Sequence, residues 1–196
     1  MRTVILTIVA AAAITSCKKD DKVPAPSAKP ERAEKAPPAS QLLAPGAELP
    51  NIDTVAHDGT AIKSSELRGS PLVVYFYPED ETGGCNAEAE AFRDAIPEMQ
   101  TMGAKIVGVS TDTLEAHRSF AANHKLNFPL VADSDMKVAQ AFGVSTAGGH
   151  ADRVTFVFKP NGVLARVFAD VSVDGHAAEV LAALREARGA AAAPTP

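Results

Sequence analysis

The order of its apolar segments is what most limits how this chain can fold. Runs of strand length alternate with segments whose apolar residues recur at helical spacing. Leu72–Tyr77 is unbroken and reads as a strand buried on both faces. A helix is expected to start near Gly84, because Ala89, Phe92, Ile96 and Met99 recur every three or four residues. Pro97 should kink or end its first section, and Gly103 should close it. Ile106–Val109 reads as the next strand. Thr113 to about Leu126 reads as a helix with a weaker apolar pattern, and Phe128–Ala132 as a short strand. Asp133 is expected to cap a helix that runs to Phe142 and stops at Gly143. Val154–Phe158 and Val163–Phe168 are joined by Lys159-Pro160-Asn161-Gly162, a tight antiparallel turn. Ala177, Val180, Leu181 and Leu184 place a last amphipathic helix. Upstream, Asp58-Gly59 between Val55 and Ile62 predicts a hairpin, and Ser64–Gly69 a single helical turn.

Strands that alternate with helices need parallel crossovers, and the late hairpin adds an antiparallel edge. The expected fold class is therefore α/β: a mixed central sheet flanked by helices over residues 42–188, similar to the thioredoxin-like architecture.

The two ends have other compositions. Arg2, the apolar stretch Val4–Ala13 and Ile14-Thr15-Ser16-Cys17 read as an export signal, too short for a membrane span. Ile-Thr-Ser-Cys resembles a bacterial lipobox, in which Cys17 is lipidated and becomes the new N-terminus; an ordinary signal peptide is the alternative. Residues 18–41 are rich in Lys, Glu, Ala and Pro and poor in large apolar residues, so they read as a tether, and residues 189–196 as a disordered tail. Lys18 stands where inner-membrane lipoproteins would carry aspartate. The expected location is thus the cell envelope, lipid-anchored and facing the periplasm, on the outer membrane in a cell that has one. The lipid would be the only membrane contact. The domain is acidic and carries no basic stripe, which argues against nucleic acid as a partner.

Cys17 and Cys85 are the two cysteines. Cys85 follows the Leu72–Tyr77 strand and opens the next helix. A free thiol is mostly protonated at neutral pH, and only the thiolate attacks. The first turn of a helix offers unpaired N–H groups and the positive end of a dipole. Gly83 and Gly84 would let the backbone turn tightly beside a small substrate. Thr82 can point a hydroxyl into the same pocket, and Pro78 can wall it. No glycine loop suited to phosphate is present, so no nucleotide cofactor is implied. His57, His117, His124, His150 and His176 have no metal-ligand spacing.

Pro78-x-x-x-Thr82-x-x-Cys85 resembles the active-site pattern of the peroxiredoxins. The flanks Val73–Pro78, Glu88, Phe92-Arg93-Asp94, Val107–Asp112, Phe128–Asp133, Ala141–Val144 and Arg153–Val157 resemble the bacterioferritin-comigratory, or Q-type, branch. The resemblance implies an antioxidant peroxidase that needs no cofactor. Cys85 would attack a peroxide and become a sulfenic acid, with Thr82, Pro78 and Arg153 as its site and Glu88 and Gly84 in support. A thioredoxin-like protein or another thiol would reduce it, and the protein would be a monomer or homodimer.

The chain departs from the branch in two ways. Glu90 stands where a resolving cysteine often lies, which implies a one-cysteine mechanism with an external thiol. Glu79 and Gly83 replace a usual lysine and proline, so Glu79, Asp80 and Glu81 are expected to repel anionic reductants such as glutathione. Two other functions begin from the same residues: a redox sensor, and a binding module with a vestigial thiol. A disulfide oxidoreductase is disfavoured because no Cys-x-x-Cys is present.

Overall fold

The computed structural model describes residues 41–189; the expected signal, the tether up to residue 40 and the tail from residue 190 lie outside the described residues. The elements are β1 (Asp53–Val55), β2 (Ala61–Lys63), α1 (Ser64–Leu67), β3 (Leu72–Phe76), α2 (Gly83–Thr101), β4 (Lys105–Ser110), α3 (Leu114–Asn123), β5 (Leu130–Ala132), α4 (Lys137–Phe142), β6 (Val154–Phe158), β7 (Leu164–Phe168) and α5 (His176–Gly189). β1 and β2 form a separate antiparallel hairpin. The main sheet has the order β5-β4-β3-β6-β7. β3 pairs parallel with β4 and antiparallel with β6, β4 pairs parallel with β5, and β6 antiparallel with β7. This is the expected mixed thioredoxin-like sheet.

β3 takes the centre because every residue in it is apolar and can be buried on either face. Val73 and Tyr75, with Tyr77 just beyond, face a core completed by Phe92 and Met99 of α2, Phe120 of α3 and Leu184 of α5. Leu72, Val74 and Phe76 face the opposite core, closed by Ile62 of the hairpin, Leu67 of α1 and Phe142 of α4. One backbone position is fixed by this packing. A Cβ on Gly108 would lie 2.7 Å from Leu130 Cδ2 and 2.8 Å from Tyr75 Cε1. The bare backbone of β4 is what lets the Tyr75 ring lie against it.

The structure corrects several expected boundaries. Of the two outcomes expected at Pro97, a kink or an end, the helix does not end: α2 runs through it to Thr101, and Gly103 follows in the left-handed region. Ile96 and Met99 are buried in one core on either side of the proline, and that packing carries the helix past the lost hydrogen bond. Asp133 does cap α4, but from a distance. Its carboxylate accepts from the amides of Val138 and Ala139 at 2.9 and 2.7 Å, and the helix begins only at Lys137, after Met136 in the left-handed region. β5 starts at Leu130, leaving Phe128 as a buried loop residue, and α3 ends at Asn123, short of Leu126.

Candidate active site

β3 delivers the chain to a short loop, and the loop delivers it to α2. Tyr77 is buried, Pro78 is half-buried, and the chain then reverses at Glu81, which sits in the left-handed region at φ 59°. This corrects the expectation that Gly83 and Gly84 make the turn. Both glycines lie inside the first turn of α2 and neither has a positive φ. A Cβ would meet nothing at Gly83 and only the Arg153 guanidinium, at 3.5 Å, at Gly84. Side-chain bonds hold Glu81 in its unfavoured conformation: its carboxylate accepts from Asn123 Nδ2 at 2.8 Å and meets His124 Nε2 at 3.1 Å.

Thr82 is the N-cap residue of α2, extended at φ −91°. Its hydroxyl does not cap the helix; it donates to the Glu79 carbonyl at 3.1 Å. The helix closes its first turn with Asn86 N–H on Thr82 O at 2.8 Å. The amides ahead of Asn86 have no helical carbonyl to bond.

Cys85 is a free thiol, 2% exposed. Arg153 donates from Nη2 to its sulfur at 3.1 Å, and from Nη1 to the Glu88 carboxylate. Cys85 and Glu88 are one helical turn apart on the same face of α2, so the two prongs of one guanidinium span them. The register brings Arg153 there. Val154 pairs with Phe76, which sets Arg153 at the end of β3 where α2 starts. Burial pushes the Glu88 carboxyl up to about 7, against the opposing pull of the Arg153 charge. Burial also works against Arg153, but the charges of Glu88 and Cys85 outweigh it and hold the guanidinium above its usual range.

Two further networks brace the loop. Asp80, expected as an exposed acid beside the thiol, is buried instead. It accepts from the Tyr77 hydroxyl at 2.8 Å and lies 2.8 Å from His117 Nδ1, while His117 Nε2 is 3.1 Å from the Val131 carbonyl. The Asp80 amide donates to Asp112, which also accepts from the Ser110 hydroxyl. Asp80, Asp112 and His117 bring ligand atoms within 4.8 Å of one another, a spacing that a metal ion could bridge. Those atoms are already bonded within the network. In the second network His124 stands between two acids, with Nδ1 2.8 Å from Glu90 and Nε2 3.1 Å from Glu81. The hydrogen bond to Glu90, helped by the one to Glu81, raises the His124 pKa against the effect of burial. Glu90, at the place of an expected resolving cysteine, is thus tied to the loop.

The structure brings Cys85, Arg153, Glu88, Thr82 and Gly84 together, with Pro78 at the start of their loop. Sequence reasoning missed His117, His124 and His176 as parts of this region, and the inward turn of Asp80. Their partners lie tens of residues away, so spacing along the chain carries no signal of them. A cleft of about 530 Å³ runs past Asp152 and Val154 and is lined by neither Cys85 nor Arg153.

A family model described as the AhpC/TSA family matches residues 44–167. Peroxiredoxin Bcp of Xanthomonas campestris is 41% identical over 134 residues, covering 65% of this chain and 84% of that protein. Chloroplastic peroxiredoxin Q of Sedum lineare is 39% identical over 125 residues, 63% of this chain and 67% of that one. Among solved structures, the Xanthomonas campestris bacterioferritin comigratory protein, studied for its alkyl peroxide reduction activity, superposes with a TM-score of 0.66 at 36% identity. That match covers 70% of this chain and 92% of that one. A PrxQ variant from Xylella fastidiosa gives 0.69 at 32% identity, covering 75% and 98%.

Proposed function

From the premise that the chain belongs to the AhpC/TSA family, in its peroxiredoxin Bcp/Q branch, we propose how it performs the thiol peroxidase reaction. The substrate is a peroxide and the second substrate a thiol reductant. The observation that carries the mechanism is the 3.1 Å contact of Arg153 Nη2 with the Cys85 sulfur in the first turn of α2. It sets a permanent positive charge against the group that must react as an anion.

Cys85 attacks, as thiolate, one oxygen of the peroxide. The S–O bond forms, the O–O bond breaks, and its electron pair leaves on the far oxygen as hydroxide or alkoxide, which takes a proton from water. Cys85 is left as the sulfenic acid. The free amides of the first turn of α2 and the Thr82 hydroxyl hold the two oxygens in line, Arg153 meets the developing charge, and Glu88 orients Arg153. Pro78 bounds the pocket.

Reduction follows a one-cysteine route. With Cys17 and Cys85 the chain's two cysteines, and Cys17 taken by lipid, the thiolate of a thioredoxin-like or other reductant attacks the sulfenic sulfur. Water leaves and a mixed disulfide forms, which a second thiol resolves. The Cys17 lipid and the tether of residues 18–41 hold the enzyme in the cell envelope.

Stopped-flow oxidation by hydrogen peroxide and by an organic hydroperoxide tests the reading. Wild type should oxidise orders of magnitude faster than a free thiol and yield a trappable sulfenic acid, and Cys85→Ser should do neither. A wild-type rate equal to that of a free thiol would remove it. Peptide mapping of native material tests the route of reduction: a Cys17–Cys85 disulfide would contradict it.

A further inference from the structure

Behind the Arg153–Glu88 pair lies a histidine that the reaction scheme leaves unused. His176, the first residue of α5, is 1% exposed and stands edge-on to two rings, Phe92 at 5.6 Å and Phe168 at 5.2 Å. Its Nε2 is 2.9 Å from Thr155 Oγ1 and 3.9 Å from Glu88 Oε1. Glu88 Oε1 and His176 Nδ1 are buried polar atoms without a hydrogen-bond partner, as is the hydroxyl of Tyr75, which also faces Glu88. An unpaired buried polar atom costs about 1–3 kcal/mol. In an aromatic box a phenylalanine would avoid the imidazole's share of that cost, so the imidazole needs a reason to be there.

Glu88 supplies the reason. Burial raises its carboxyl to about 7, so near neutrality it exists in two forms. As a carboxylate, Oε1 needs a donor; as an acid, it carries a proton and needs an acceptor. Imidazole Nε2–H meets the first need, in the form of Glu88 that pairs with Arg153. Nε2 has one site, which Thr155 Oγ1 faces at 2.9 Å, so serving Glu88 means turning that proton from Thr155. Closing the 3.9 Å gap to hydrogen-bond distance takes a small side-chain shift.

We infer that His176 is a positioning residue for the peroxide reaction: turned from Thr155, its Nε2–H holds the Glu88 carboxylate, and through Glu88 it keeps Arg153 on the Cys85 sulfur. The inference rests on the thiol peroxidase reading. The other titratable groups facing Glu88 are Arg153 at the start of β6, Tyr75 of β3 and Cys85 on α2 itself; beyond His176 stands Glu179 of α5, 4.0 Å from Nδ1.

The pH dependence of Cys85 oxidation by hydrogen peroxide, followed by stopped flow in the full chain, separates the two ideas. A wild-type chain no faster than a free thiol defeats the peroxidase reading itself. With wild type fast, His176→Phe fills the box and removes both nitrogens. Without a donor in front of it the Glu88 carboxylate forms later, so the acid limb of the profile moves up by about half a pH unit and the rate constant near neutrality falls about two- to threefold. His176→Gln, whose amide can donate or accept, recovers most of the loss. A folded His176→Phe chain with the wild-type rate and profile overturns the inference, as does an equal loss in both variants at every pH, which packing alone would give. Should the phenylalanine variant not fold, the imidazole nitrogen signals of wild type decide by NMR. His176 signals that move as Glu88 titrates support the role, and signals that stay still overturn it.

Discussion

Arg153 Nη2 stands 3.1 Å from Cys85 Sγ, although 68 positions separate the two residues in sequence. The contact depends on a fork. One nitrogen serves the sulfur while the other serves Glu88, and a lysine ammonium cannot do both from one point. Arg153→Lys should therefore lower the second-order rate constant for hydrogen peroxide about tenfold, and Arg153→Gln about a hundredfold or more. Stopped-flow oxidation of the two variants checks this. A lysine variant as fast as wild type would show that charge alone suffices.

His124 clamps the loop through Glu81 and α2 through Glu90. Its folded-state pKa lies above the ordinary value, chiefly through the bond to Glu90. The stability it contributes is full below its unfolded pKa of about 6.5 and disappears as pH rises through the raised folded value. The stability difference between wild type and His124→Gln should then be largest near pH 6 and shrink by pH 8.5. Both acids are nearly half exposed, so the effect should be modest. Urea denaturation across this range measures it; a difference that grows with pH would reverse the assigned sign.

Gly108→Ala should destabilise the chain by about 1–3 kcal/mol, the usual cost of overpacking a filled core. The new methyl would press on Leu130 and the Tyr75 ring, and both are fully buried and cannot swing aside. Thermal or chemical denaturation reads the loss. An unchanged midpoint would mean that β4 and Tyr75 sit further apart than the structure places them.

The parallel core of the fold was legible because it is written in local pattern. Leu72–Tyr77 and Ile106–Val109 are apolar throughout, and only a strand between two layers uses such runs. The pattern around Cys85 and Arg153 was legible through family resemblance, not through geometry. The rest was hidden for physical reasons. Asp80 looks like a surface acid between two others, and only the fold brings His117 against it from 37 positions away. The αL turn at Glu81 is held by Asn123 and His124 of a later helix, so nothing near Gly83 could reveal that the glycines do not make it.

The buried Asp80 also changes what the acidic loop can do to reductants. Of its three carboxylates, Asp80 faces inward and Glu81 is bound to Asn123 and His124, which leaves Glu79 exposed and outside both networks. The repulsion of glutathione should then come mainly from Glu79. Glu79→Lys is expected to speed reduction of the Cys85 sulfenic acid by glutathione about two- to fivefold at low salt. The gain should fade at 0.3 M salt, where the screening length drops to roughly 6 Å. Uncharged dithiothreitol should reduce both proteins at the same rate. Single-turnover reduction of pre-oxidised protein gives all of these rates. An equal gain with dithiothreitol would point to loosened access rather than charge, and a gain indifferent to salt would rule out the electrostatic origin.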